Sequence, residues 1–103
     1  MDLIDTDEAE GFFTVVGGTE RSDAATMILE SGQSTGGPSN RHPDSDQWLY
    51  VKSGVGEVTL EGETHEIGPG DLFLIEAGET HEIANGGEDD LETVSVYAPA
   101  EYT

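Results

Sequence analysis

The stretch Gly70-Asp71-Leu72-Phe73-Leu74-Ile75-Glu76-Ala77-Gly78-Glu79-Thr80-His81-Glu82-Ile83-Ala84-Asn85 decides how this chain folds. It carries two short runs, Leu72-Phe73-Leu74-Ile75 and Thr80-His81-Glu82-Ile83, entered through the turns Pro69-Gly70-Asp71 and Ala77-Gly78-Glu79. Runs of this length between glycine-rich turns read as strands, because a helix needs a longer periodic segment. The hexapeptide Gly-Glu-Thr-His-Glu-Ile closes the stretch at 78–83 and occurs once before, at 62–67. Such an offset is too short for a duplicated domain and suits two successive turn-plus-strand units. Side chains alternate along a strand, so His65 shares a face with Ile67, and His81 with Ile83. If the isoleucines face the core, both histidines do as well.

The same grammar extends in both directions. Phe12 to Val16, Ala25 to Glu30, Trp48 to Lys52, Glu57 to Glu61 and Leu91 to Tyr97 are rich in β-branched and aromatic residues and stop at glycine, serine or proline. No segment keeps a helical period. Strands at such even spacing predict an all-β sandwich or barrel. Between the second and third strands lies a loop, Gln33 to Gln47, of Ser, Gly, Pro, Asn and Asp, and connections that long are usually functional or disordered. Residues 1–11 are acidic and read as an arm or exchanged edge strand; 12–103 form a single domain.

Composition narrows the function classes. The chain has 103 residues, 34% of them hydrophobic, with 23 Asp and Glu against three basic residues and a formal charge of −20. Phosphate binding needs clustered Lys and Arg, so nucleic acid is an unsuitable partner, and an anionic membrane would repel the chain. The apolar residues are gathered in strand-like runs, which argues against acidic disorder. The acidity fits a protein from a high-salt cytoplasm, where a Debye length of about 3 Å screens carboxylate repulsion. With no cysteine, disulfides and thiolate sites are excluded. No apolar run reaches the roughly 18 residues of a membrane span, and the acidic N-terminus lacks the positive start of a signal peptide. A cytoplasmic location is expected.

Two spacings now carry a resemblance. From Gly70 the chain reads five residues, Glu76, one residue, Gly78, two residues, His81, three residues, Asn85. This resembles the second cupin motif, G-x5-P-x-G-x2-H-x3-N, with the proline replaced by Glu76. From Asn40 it reads one residue, His42, four residues, Gln47, six residues, Gly54. That resembles the first cupin motif, H-x-H-x(3,4)-E-x6-G, with Asn for the first His and Gln for the Glu. The resemblance covers roughly residues 25–98 and implies a double-stranded β-helix, or jelly-roll barrel. It also implies one divalent transition metal (Zn, Ni, Mn or Fe) held at the positions of Asn40, His42, Gln47 and His81.

The chemistry grades these four. Imidazole is the commonest transition-metal ligand, and an amide oxygen is a hard, neutral one. None of the four is anionic, so Asp44, Asp46, Glu76 and Glu79 are the nearby candidates for charge behind the ligands. Asn40 doubles as a loop-capping residue, Gln47 as a hydrogen-bonding residue, and His65 as a rim or core histidine. Glu76, where the family has proline, is a candidate general base. Trp48 and Tyr50 alternate with the inward Gln47, Leu49 and Val51, and an outward Trp and Tyr call for a cover. That cover is either the N-terminal arm or, preferably, a second copy in a homodimer. Glu88-Asp89-Asp90 reads as a solvated turn.

Two functions follow. One is a metal-dependent enzyme acting on a small molecule, an oxygenase or an isomerase. The other is a non-catalytic module that binds or senses a small ligand on the same scaffold. Whether the chain is an enzyme is left open by the sequence.

Overall fold

The computed structural model describes residues 1–36 and 41–102. Eight strands run through them: β1 (Phe13–Gly18), β2 (Asp23–Leu29), β3 (Asp46–Ser53), β4 (Gly56–Leu60), β5 (Glu63–Ile67), β6 (Leu72–Ile75), β7 (His81–Ala84) and β8 (Leu91–Ala98). They form two antiparallel sheets, β1-β2-β8-β3-β6 and β5-β4-β7. The architecture is all-β, as the turn spacing predicts, and is the double-stranded β-helix that the resemblance implies.

Alternation fills the space between the sheets. In β3, Gln47, Leu49 and Val51 are buried while Trp48 and Tyr50 are exposed. Met27, Leu29, Leu49, Val51, Val58, Ile67, Ile83 and Leu91 form the core, with Leu60 and Phe73 packed against it. Turn chemistry sets the registers. Glu61 (φ +47°) and Gly62 (φ +84°) form the two-residue link between β4 and β5, both in the left-handed region that such hairpins use. At Gly54 (φ +83°) a Cβ would lie 2.2 Å from the Asp90 carbonyl oxygen. The first motif's glycine is thus a contact point between two turns.

The N-terminal arm forms a 3-10 turn, Thr6–Glu8, capped by the Asp5 carboxylate. Lys52 ties the arm down by donating to Thr6 Oγ1 at 3.1 Å and pairing with Asp7. The bond to Asp7 raises the Lys52 pKa. The arm leaves Trp48 and Tyr50 exposed. His65 pairs with buried Val58 and shares its strand face with buried Ile67, but it is exposed and lines a cavity with Val58, Leu60 and Ile67, so it is a rim histidine and not a core one.

Candidate functional site

The large sheet brings Gln47, on β3, beside Tyr97, its partner on β8. His81 opens β7, opposite Leu60 of β4, and faces inward as the alternation requires. His42 sits in the loop before β3, where its carbonyl accepts from Gly78 N at 2.9 Å. That bond ties the loop of the first motif to the turn of the second. The chain thereby assembles His42, Gln47 and His81 on one cavity of about 220 Å³. The ring centroids of His42 and His81 are 5.1 Å apart. Asn40 lies outside the described residues.

Each polar group at this cavity has a specific setting. Gln47 is buried, and its Nε2 donates to Ser95 Oγ at 3.0 Å. Its Oε1 is buried with no hydrogen-bond partner among the described residues. An orphaned amide oxygen is costly to bury. His81 Nδ1 faces the Glu79 carbonyl at 3.4 Å, which leaves Nε2 as the ring's other nitrogen. Burial pushes the His81 pKa below its ordinary value, and the neighbouring His42 ring adds to the effect while the Glu79 carbonyl opposes it. The imidazole is therefore neutral near pH 7, the state in which it donates a lone pair.

His42 meets a residue that motif reading did not anticipate. Its Nδ1 lies 3.1 Å from Glu101 Oε1. The approach is off the hydrogen-bond axis, so Oε1 stays without an aligned hydrogen bond. Tyr97 and Tyr102 pack edge-on against the His42 ring at 5.2 and 6.2 Å. Burial raises the Tyr97 pKa well above its ordinary value, reinforced by Tyr102, and burial also raises that of Tyr102. Both phenols are neutral at physiological pH.

The remaining wall is apolar: Phe12, Phe13, Met27 and Ile83, with Thr35 and Gly36 at the loop. No Asp, Glu, Lys or Arg lines it among the described residues. Glu76, the candidate base, is exposed on the turn before β7 and lies outside this wall. The other acidic candidates have local tasks. Asp46 accepts from Ala77 N at 2.9 Å and Glu79 from Glu76 N at 2.7 Å, whereas Asp44 is exposed. Asp46 and Glu79 thus support the turn before β7. Among the described residues no cluster of three His, Asp or Glu side chains could hold a metal by itself; Gln47 would have to complete the set. Two imidazoles and an unpartnered amide oxygen on one cavity do fit a divalent transition metal.

A family model for the cupin domain matches residues 25–97. No curated protein matches the sequence. Among solved structures, the BH2720 protein of Bacillus halodurans superposes with a TM-score of 0.87 at 26% identity, covering 95% of this chain and 77% of that one. KdgF from Halomonas sp. gives 0.76 at 30% identity, with 86% and 78% covered. A predicted oxalate decarboxylase from Thermotoga maritima gives 0.76 at 27%, with 84% and 77% covered.

Proposed function

The chain belongs to the cupin family, and we propose that its cavity binds one divalent transition metal together with a small organic molecule. His42, His81 and Gln47 Oε1 would hold the metal. The observation that carries the reading is the buried, unpartnered Gln47 oxygen on the same cavity as the two imidazoles. A cation supplies the partner that this oxygen otherwise lacks. When bound, the metal supplies Lewis-acid polarisation of a ligand oxygen.

The wall describes the molecule. Four aromatic rings, Met27 and Ile83 favour an apolar body, and the absence of Lys and Arg among the lining residues disfavours a phosphate. The volume lies below the roughly 300–1,000 Å³ of sites for drug-sized ligands, so the molecule is small. Oxygenase sites with two histidines rely on a carboxylate as third ligand. An amide there supports isomerase-type chemistry over oxygen activation.

Elemental analysis of untagged protein purified without chelators tests this. About one transition metal per chain is expected, lost in His42→Ala and in His81→Ala. Absence of metal under every loading condition overturns the reading. A second reading, a non-catalytic ligand-binding module, is favoured because the cavity wall carries no Asp, Glu or Lys to act as a base beside the two histidines that would hold the metal. Ligand binding without turnover in the metal-loaded protein distinguishes it. We also propose that the chain pairs with a second copy through the outer face of the five-stranded sheet, where Trp48 stands between Val96 and Leu74, and Tyr50 between Val94 and Leu72.

A further inference from the structure

We propose that Glu101 is the charge partner of this site, a positioning residue that acts on the metal through His42. The inference rests on the metal reading above. The first motif of this chain has an amide, Gln47, where the cupin pattern has a carboxylate, so the negative charge has to come from elsewhere. Glu101 brings it from the C-terminal segment, 54 residues after Gln47 in the chain.

Three observations support the assignment. Among the described residues, Glu101 is the carboxylate within ion-pair distance of a histidine, at 3.1 Å from His42 Nδ1. Both side chains are largely buried, and Glu101 Oε1 has no hydrogen-bond donor. A carboxylate oxygen in that state is expensive unless its neighbour becomes more positive. A cation held by the other ring nitrogen of His42 would do that, because it would polarise the ring and make the Nδ1 edge that faces Glu101 more positive. Carboxylate–histidine–metal relays work on this principle.

The third observation is that the segment is held. The backbone N–H groups of Glu101 and Tyr102 donate to the carboxylate of buried Asp23 at 3.2 and 2.6 Å. Ser45 Oγ donates to the Pro99 carbonyl at 2.8 Å, and the Tyr102 ring packs on Phe13 and Tyr97 with centroids 5.0 Å away in each case. Glu101 is not on the cavity wall, so it meets His42 from outside the cavity.

The test is calorimetric titration of Co2+ into the full chain after chelator treatment. Glu101→Gln is expected to bind about 10–100-fold more weakly than wild type, while Asp44→Asn, which removes the same charge from an exposed site, matches wild type. The visible spectrum of Co2+-saturated Glu101→Gln keeps the wild-type band positions, because the ligands are unchanged. Circular dichroism of the metal-free variant matches wild type, because the anchors to Asp23 are backbone groups. Equal affinity for wild type and Glu101→Gln overturns the inference. So does a changed Co2+ spectrum, which would mark Glu101 as a direct ligand. Failure of wild type itself to bind Co2+ or any other transition metal overturns the metal reading, and this inference with it.

Discussion

Tyr97 is 3% exposed, and its ring lies edge-on to His42 at one side of the cavity. Burial makes its phenolate costly, so its folded-state pKa lies above the value near 10 of the unfolded chain. The folded protein therefore keeps a proton that the unfolded chain gives up. This contribution to stability is fully present below pH 10 and is lost as the pH rises toward the folded-state pKa. The urea midpoint is expected to fall between pH 10 and 11, and to fall less in Tyr97→Phe. An equal fall in both proteins counts against the buried phenol as its source. At this scale the sequence revealed part of the candidate site. His42, Gln47 and His81 were legible because a motif fixes their spacing. Tyr97, Tyr102 and Glu101 were not, since nothing local distinguishes a strand-end tyrosine or a tail glutamate from a surface one.

Strands and turns were more legible, because their signals are local. All eight strands were marked by alternation or by short apolar runs between turns, with boundaries moved by a residue or two. Two motif residues, Gly54 and Asn85, prove to be turn parts. Asn85, 1% exposed, donates from Nδ2 to the carbonyls of Leu29 and Asp89, each at 2.8 Å, and accepts from Gly87 N at 2.9 Å. It clamps the link between β7 and β8 to the end of β2. Asn85→Ala strands these buried groups and is expected to cost about 2–3 kcal/mol in urea unfolding. Metal affinity should change by less than about threefold, since Asn85 does not line the cavity. A large affinity loss with little change in stability would show the reverse division of labour. The repeat places His65 on the strand face of buried Ile67 but does not contain its burial, which depends on what packs over the residue: His65 is exposed where its counterpart His81 is buried.

Taken whole, the molecule has two unlike outer faces. The five-stranded sheet presents Trp48 at 45%, Tyr50 at 44% and Leu72 at 59% exposure, a patch of the kind that marks an interface. Sedimentation velocity at micromolar concentration is expected to give a dimer for wild type and a monomer for Trp48→Glu. A monomeric wild type removes this face as a self-association surface. The opposite sheet ends at β5, where Glu63, Thr64, His65 and Glu66 are all exposed. A free strand edge is a template for fibre growth, and charged side chains are a common guard against it. Here a second chain pairing in register would set glutamate beside glutamate, and that guard is electrostatic. It weakens as salt shortens the Debye length to about 3 Å at 1 M. The salt that relieves this chain's self-repulsion thus also loosens its protection against growing into filaments, leaving the β5 edge with little but its five-residue length to limit polymerisation.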